Sequence, residues 1–236
     1  MKNKVSIVTI SYNAEKEIER TLNSVISQTY DNIQYVIIDG GSTDDTLNII
    51  KKYKDKINVI ISEPDKGIYN AMNKSLDYCD GEWVIFMNAG DCFVDSHVLS
   101  GIFNNRNLDD FAVIFGFTLT SKGLMPLKPF VCKAGRALQM GFCHQSSLIR
   151  RNIIKKFRFD ERYKIAADYN LMFRIWNAGY HFYNSGITIA YFDTSGLSSK
   201  KQFVLLEEIA SFTNLKGTLR YYLFYMKLMI KKLLLF

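Results

Sequence analysis

The chain has 236 residues, 48% of them hydrophobic and 22% charged, with a formal net charge of +7. This is enough apolar material for a full core, so one large domain with a C-terminal appendage is expected. The absence of repeats and low-complexity runs excludes a repetitive or largely disordered chain. The positive balance suits an anionic partner such as nucleotide phosphates or an acidic lipid surface; no nucleic-acid partner is expected. Cys79, Cys92, Cys132 and Cys143 form no C-x-x-C pair. That argues against a zinc site or a disulfide framework and suits a reducing cytosol.

The N-terminal tetrad leads directly into an apolar run, Val5 to Ile10, that reads as a strand, with no signal peptide visible. From Glu15 to Thr29, Ile18, Leu22, Val25 and Ile26 recur at helical spacing. Tyr35–Ile38 is a second strand, and Asp44 or Asp45 opens a helix carrying Leu47, Ile50 and Tyr53. A third strand is expected at Ile57–Ile61, a third helix at Tyr69–Tyr78 and a fourth strand at Trp83–Met87. Such alternation implies a mainly parallel sheet with right-handed crossovers. Beyond it, Phe111–Phe117 reads as a strand, residues 118–140 as an excursion, 147–157 and 168–178 as helices, and 186–192 as a strand. Residues 196–201 are expected to be mobile and 203–236 helical.

Chemistry concentrates in four loops that follow strands on one edge of that sheet, where open α/β sheets bind ligands. After the first strand, Ser11-Tyr12-Asn13 offers an aromatic to stack on a base and small polar groups for its edge; an N-cap at Asn13 competes. After the second, Asp39-Gly40-Gly41-Ser42 offers an acceptor for a base or ribose on a backbone that a ligand can approach closely. After the third, Asp65-Lys66-Gly67 leads into a helix whose N-terminus and Lys66 can face phosphate; plain turn chemistry competes. After the fourth, Asn88-Ala89-Gly90-Asp91 places a carboxylate to hold a metal or a nucleotide, against the alternative that Asp91 caps a helix. Neither G-x-G-x-x-G nor a P-loop is present, so phosphate needs another holder, and a cation at Asp91 would serve.

Together these segments, with Gly81-Glu82-Trp83, Asn70 to Asn73, His144-Gln145 and Ala167-Asp168-Tyr169, resemble the family 2 glycosyltransferases over roughly residues 4–195. The likeness is strongest to the bacterial branch that builds capsule, O-antigen and colanic-acid-type polysaccharides. The resemblance implies an α/β GT-A fold: a Rossmann-like, mainly parallel sheet flanked by helices, with a C-terminal helical extension. It implies a catalytic domain at 1–200, its nucleotide-sugar half at about 1–117 and its acceptor half at 118–200, followed by an extension at 201–236. It also implies inverting hexosyl or N-acetylhexosaminyl transfer from a UDP-sugar to a saccharide or polyprenyl-linked acceptor, aided by Mn²⁺ or Mg²⁺. The implied donor set is Ser11, Tyr12, Asn13, Asp39, Asp65, Lys66, Gly67, Asn73, Asn88 and Asp91, with Asp91 on the metal. His144 and Gln145 match the acceptor side, and Asp168 matches the catalytic base. The chain departs from the family's Asp-x-Asp pattern: Asn88 and Gly90 stand where acids are usual, and only Asp91 remains.

On the residues alone, Asp168 sits in an apolar stretch, as a general base would, though capping the following helix competes. His97 and His181 read as structural or exposed. Lys227, Lys231 and Lys232 interrupt the apolar and aromatic residues of 219–236. The run is too short to span a bilayer and suits a helix lying on an anionic membrane, which would place the protein on the cytoplasmic face; packing on the domain or on a second copy competes. Two other classes stay open. A nucleotide-cofactor oxidoreductase is disfavoured by the missing glycine fingerprint, and a non-catalytic nucleotide-sugar-binding module is disfavoured by Asp168.

Overall fold

The computed structural model describes residues 3–104, 106–127, 141–192, 201–213 and 215–233, without the side chains of 220 and 231–233. The expected excursion at 118–140 and the expected mobile stretch at 196–201 fall largely outside these residues.

Among the described residues, nine strands form one sheet. They are β1 (Val5–Ser11), β2 (Ile33–Asp39), β3 (Val59–Ser62), β4 (Trp83–Phe86), β5 (Cys92–Phe93), β6 (Phe111–Thr120), β7 (Gly123–Met125), β8 (Ser147–Arg150) and β9 (His181–Tyr191). The order is β3-β2-β1-β4-β8-β6-β9-β5, with β7 folded back on β6. β3, β2, β1 and β4 run parallel. β8 runs antiparallel between β4 and β6, and β9 is parallel to β6. The four parallel strands therefore end at one edge, as expected.

Helices cover both faces: α1 (Ile18–Ile26), α2 (Thr46–Lys52), α3 (Ile68–Ser75), α4 (Val98–Phe103), α5 (Arg151–Phe157), α6 (Ala167–Asn177), α7 (Gln202–Phe212) and α8 (Leu219–Leu233). Strand residues alternate between two cores. Val8, Ile10, Val36, Ile38, Val84 and Phe86 share one core with α3, α6 and α7. Val5, Ile7, Tyr35, Ile37, Trp83 and Ile85 share the other with α1 and α4. Burial on both faces explains why these strands read as nearly continuous apolar runs. Among the polar side chains inside, Ser6 Oγ donates to Gln34 Oε1 (2.6 Å) and accepts from Gly81 N (2.9 Å).

Two readings need correction. Residues 147–157 are not one helix, because Ser147–Arg150 forms β8 before α5 begins. Leu148 and Ile149 enter opposite cores, which a strand's alternation permits. The paired apolar residues at 148/149 and 153/154 mimic a helical stripe. Leu206, Ile209 and Ala210 of α7 are buried in the main core. Phe212 meets the rings of Tyr163, Tyr169 and Phe173 at 5.4, 5.5 and 5.6 Å. The expected C-terminal helix is two helices. α8 packs on α7 through Tyr221, whose hydroxyl donates to Glu207, and through Phe203 against Tyr225.

Candidate active site

A cleft of about 830 Å³ opens where β1 and β4 end. Strand order reverses across β1 there, with β2 to one side and β4 to the other, which leaves a crevice between the two crossovers. Tyr12, Asn13, Asn88, Asp91, His144, Gln145 and Asp168 all line it.

The 88–91 loop is pinned from below and from the side. Met87 N and Ala89 N donate to Val8 O (2.8 Å) and Ile10 O (3.0 Å), so the loop continues along β1. Thr21 Oγ1 of α1 donates to Asp91 O at 2.7 Å and accepts from Gly90 N at 3.0 Å, while Arg20 donates to Gly90 O. Gly90 sits at φ 101°, where a side chain would strain the turn. Asp91 is followed by β5, not by a helix, so the capping alternative falls. The holding roles of Arg20 and Thr21 leave no motif in the sequence.

The first two loops are tied together. Asp39 is fully buried and accepts from Ser11 Oγ (3.0 Å), Ser42 Oγ (2.5 Å), Ser62 Oγ (2.8 Å) and the N–H groups of Gly41 and Ser42 (3.1 and 2.8 Å). It organises the loop, and a direct base or ribose contact requires exchange of one of these bonds. Asn13 does not cap α1, whose cap is Glu17; its Oδ1 accepts Thr43 N at 2.9 Å instead. Tyr12 is 64% exposed over this platform. Gly40 allows a close approach beside it: a Cβ there would lie 2.5 Å from Asp65 Oδ2 and 3.4 Å from the Tyr12 ring. Asp65 Oδ1 accepts Gly67 N at 2.7 Å at the start of α3, and the Lys66 side chain is exposed.

Asn73 is not among the residues that line the cleft. It is buried, its Nδ2 donates to Phe159 O (2.9 Å) and Glu161 Oε1 (2.8 Å), and its Oδ1 accepts Phe159 N (2.9 Å). It clamps the turn before α6 because α3 turns that face toward the core.

Beside the 88–91 loop, His144 Nδ1 lies 2.8 Å from Asp168 Oδ2, and its Nε2 lies 3.4 Å from Asn88 Nδ2. A neutral imidazole protonated on Nδ1 satisfies both contacts, donating to Asp168 and accepting from Asn88. Burial disfavours the charged imidazole, but the hydrogen bond and charge of Asp168, with Asp91 beyond, raise its pKa above the ordinary value. Asp168 is the second residue of α6, not its cap, which is Ala166. Tyr69 donates to Ile165 O at 2.6 Å and sits 3.4 Å from Asp168 Oδ1. Burial first, then Asp168, push the Tyr69 hydroxyl well up, so it stays protonated. Burial pushes the Cys143 thiol, which lines the cleft, up to about 11, so it offers no thiolate nucleophile. His97 and His181 are exposed and lie outside this cleft.

A cation has a partial seat. Asn88 Oδ1 is buried and has no hydrogen-bond partner among the described residues, and Asp91 in the same short loop is 5% exposed. Among those residues no group of three or more His, Cys, Asp or Glu forms a closed metal cage. Two oxygen donors with an open remainder suit a divalent ion whose other ligands come from phosphate and water.

A mainly parallel α/β sheet flanked by helices, with its cleft at the switch point, is the architecture of GT-A glycosyltransferases. The family model described as glycosyl transferase family 2 matches residues 6–126, and the chain belongs to that family. A Mycobacterium tuberculosis protein described as a PGL/p-HBAD biosynthesis glycosyltransferase is 25% identical over 73% of this chain and 69% of its own. An Escherichia coli protein, UDP-Glc:alpha-D-GlcNAc-diphosphoundecaprenol beta-1,3-glucosyltransferase WfaP, is 38% identical over 42% of this chain and 39% of its own. Residues 1–349 of S. aureus TarS, solved with UDP-GlcNAc, superpose with a TM-score of 0.70 at 20% identity, over 92% of this chain and 68% of theirs. That last likeness is one of fold.

Proposed function

We propose that this protein is an inverting glycosyltransferase that moves a sugar from a UDP-sugar to a lipid-linked saccharide in the assembly of a bacterial surface polysaccharide. One observation carries the reading: the Asn88–Asp91 loop and Asp168 face one another across a single cleft and are bridged by His144. UDP lies along Tyr12, Asp65 and the edge of the Asp39 loop, with the ring of Tyr12 stacked on the base. Asn88 Oδ1 and Asp91 would hold a divalent cation, which would supply positive charge to the leaving diphosphate. Asp168 accepts the proton of the attacking hydroxyl, and His144 holds its carboxylate toward the cleft. Attack from the Asp168 side, opposite the diphosphate, inverts the anomeric carbon. Gln145 and Lys164 line the acceptor end and supply hydrogen-bonding groups and positive charge.

The acceptor's lipid is supported by the far wall of the cleft, which is apolar and built from Leu205, Leu206, Ile209 and Phe224 of α7 and α8. It is also supported by the diphosphoundecaprenol-linked substrate that the E. coli relative's description names. No helix among the described residues is long and apolar enough to cross a membrane. α8 instead exposes Leu219, Tyr222, Leu223, Met226, Met229 and Ile230. That face, with Lys227 beside it, docks the protein on the anionic inner leaflet.

The test is a panel of nucleotide sugars, with and without Mn²⁺, read by thermal shift and by release of UDP. A donor that binds only the native state raises its melting temperature. A protein that is stabilised by one UDP-sugar and slowly hydrolyses it bears the proposal out. Stabilisation without any turnover, even with polyprenyl-linked acceptors, would leave a binding module.

A further inference from the structure

Asp168 is only as well placed as the first turn of α6. The 164–166 turn that leads into it is anchored by a residue of α7. Glu208 of α7 accepts three consecutive backbone N–H groups: Lys164 N at 2.7 Å and Ile165 N at 3.0 Å, and Ala166 N at 2.8 Å. These amides lead into the helix N-terminus, whose N–H groups have no partner within the helix, and a carboxylate is the side chain that best satisfies them. α6 has no side-chain cap of its own, since Ala166 occupies that position. The same turn is held from its other side, where Tyr69 donates to Ile165 O at 2.6 Å. Residue 165 is thus gripped at both its N–H and its C=O, three residues before Asp168.

From this geometry we infer that Glu208 is a positioning residue for the reaction: it sets the height of Asp168 in the cleft by fixing the 164–166 turn. The inference rests on the reading of Asp168 as general base. It places α7 within the catalytic unit. Lys164 is held by the same carboxylate and lines the acceptor end, so both acceptor-side groups depend on one residue of α7. Its neighbour Glu207 faces away, toward Tyr221 and Lys216 at 3.5 Å, and provides an internal control on the same helix.

The experiment uses the full chain and three variants: Glu208→Gln, Glu208→Ala and Glu207→Gln. Two quantities are read, amide hydrogen exchange over residues 164–169 and UDP release from the UDP-sugar that the wild type turns over, beside direct UDP titration. Glu208→Ala should speed exchange in the turn at least tenfold and lower kcat roughly 10²-fold, the scale of a misplacement of about 1 Å. UDP affinity should stay within about twofold. Glu208→Gln keeps the packing and one acceptor oxygen, so its loss should be intermediate. Glu207→Gln should change neither quantity. Unchanged exchange in Glu208→Ala, or faster exchange with normal kcat, overturns the role of Glu208. Equal losses in the Glu207 and Glu208 variants do so too, because they indicate general loosening of α7. If Glu208→Ala does not fold, Glu208→Gln decides by the same criteria. A wild type that neither binds UDP nor releases it overturns the glycosyltransferase reading itself, an outcome separate from all of these.

Discussion

His144 Nδ1 stands 2.8 Å from Asp168 Oδ2, although 24 residues separate them in the chain. The pair joins the short turn after the cleft's floor to the first turn of α6, and it ties the base to the donor loop through Asn88. Its chemistry yields the first two predictions.

Asp168→Asn keeps the size of the side chain and much of its hydrogen bonding but cannot take up the proton. Transfer should fall by roughly 10²–10⁴-fold, the usual range for loss of a general base. UDP affinity should hardly move, because the donor loops lie across the cleft. Single-turnover transfer beside UDP titration measures both. Near-normal transfer would reduce Asp168 to a structural acid.

The His144–Asp168 contact should make stability depend on pH in one direction. The folded-state pKa of His144 lies above its ordinary 6.5. The stabilisation is therefore complete below the unfolded value, and it is lost as pH rises through the higher folded one. The advantage of wild type over His144→Gln in urea midpoint should be greatest just below pH 6.5 and shrink at higher pH. A difference that grows with pH would mean that the imidazole is buried neutral.

The seat at Asn88 and Asp91 makes a prediction by gain. Asn88→Asp supplies a second carboxylate, so UDP binding in Mn²⁺ should tighten, whereas Asp91→Ala should weaken it and abolish turnover. Calorimetry with Mn²⁺ and with EDTA reads each. Wild-type UDP affinity that is identical in the two buffers would remove the cation from the donor site.

Gly40 is required by the approach of Asp65 and Tyr12. Gly40→Ala places a methyl group 2.5 Å from Asp65 Oδ2 and must displace that carboxylate. UDP affinity should drop roughly tenfold, about 1.4 kcal/mol, within the range of overpacking costs. Unchanged UDP affinity in a folded Gly40→Ala would show that Asp65 lies outside the donor contact.

The exposed face of α8 predicts retention on acidic vesicles. Lys227→Glu, Lys231→Glu and Lys232→Glu together should release the protein with little loss of fold, as should Leu223→Glu with Met226→Glu. Sedimentation with phosphatidylserine vesicles at low salt checks both sets. Wild-type protein that stays in the supernatant would point to packing against a second copy, which light scattering would detect.

The sequence by itself determined the sheet's parallel half and its functional edge. Apolar runs such as Val5–Ile10 and Trp83–Met87 are readable because both faces of those strands are buried, and right-handed crossovers carry every following loop to the same side. Tyr12 and Asp91 were legible as cleft residues for that reason: their positions follow from strand ends. Tertiary structure alone decided which of the other polar residues face the cleft. Asn73 follows the same loop as Asp65, yet α3's rotation turns it onto Phe159 and Glu161. Ser147–Arg150 became a strand because a slot between β4 and β6 had to be filled on both faces. The bonds of Glu208 to residues 164–166, and of His144 to Asp168, join segments that no period or motif links. Such contacts arise when separate helices and turns pack, and their partners are chosen by which backbone groups the fold leaves unsatisfied.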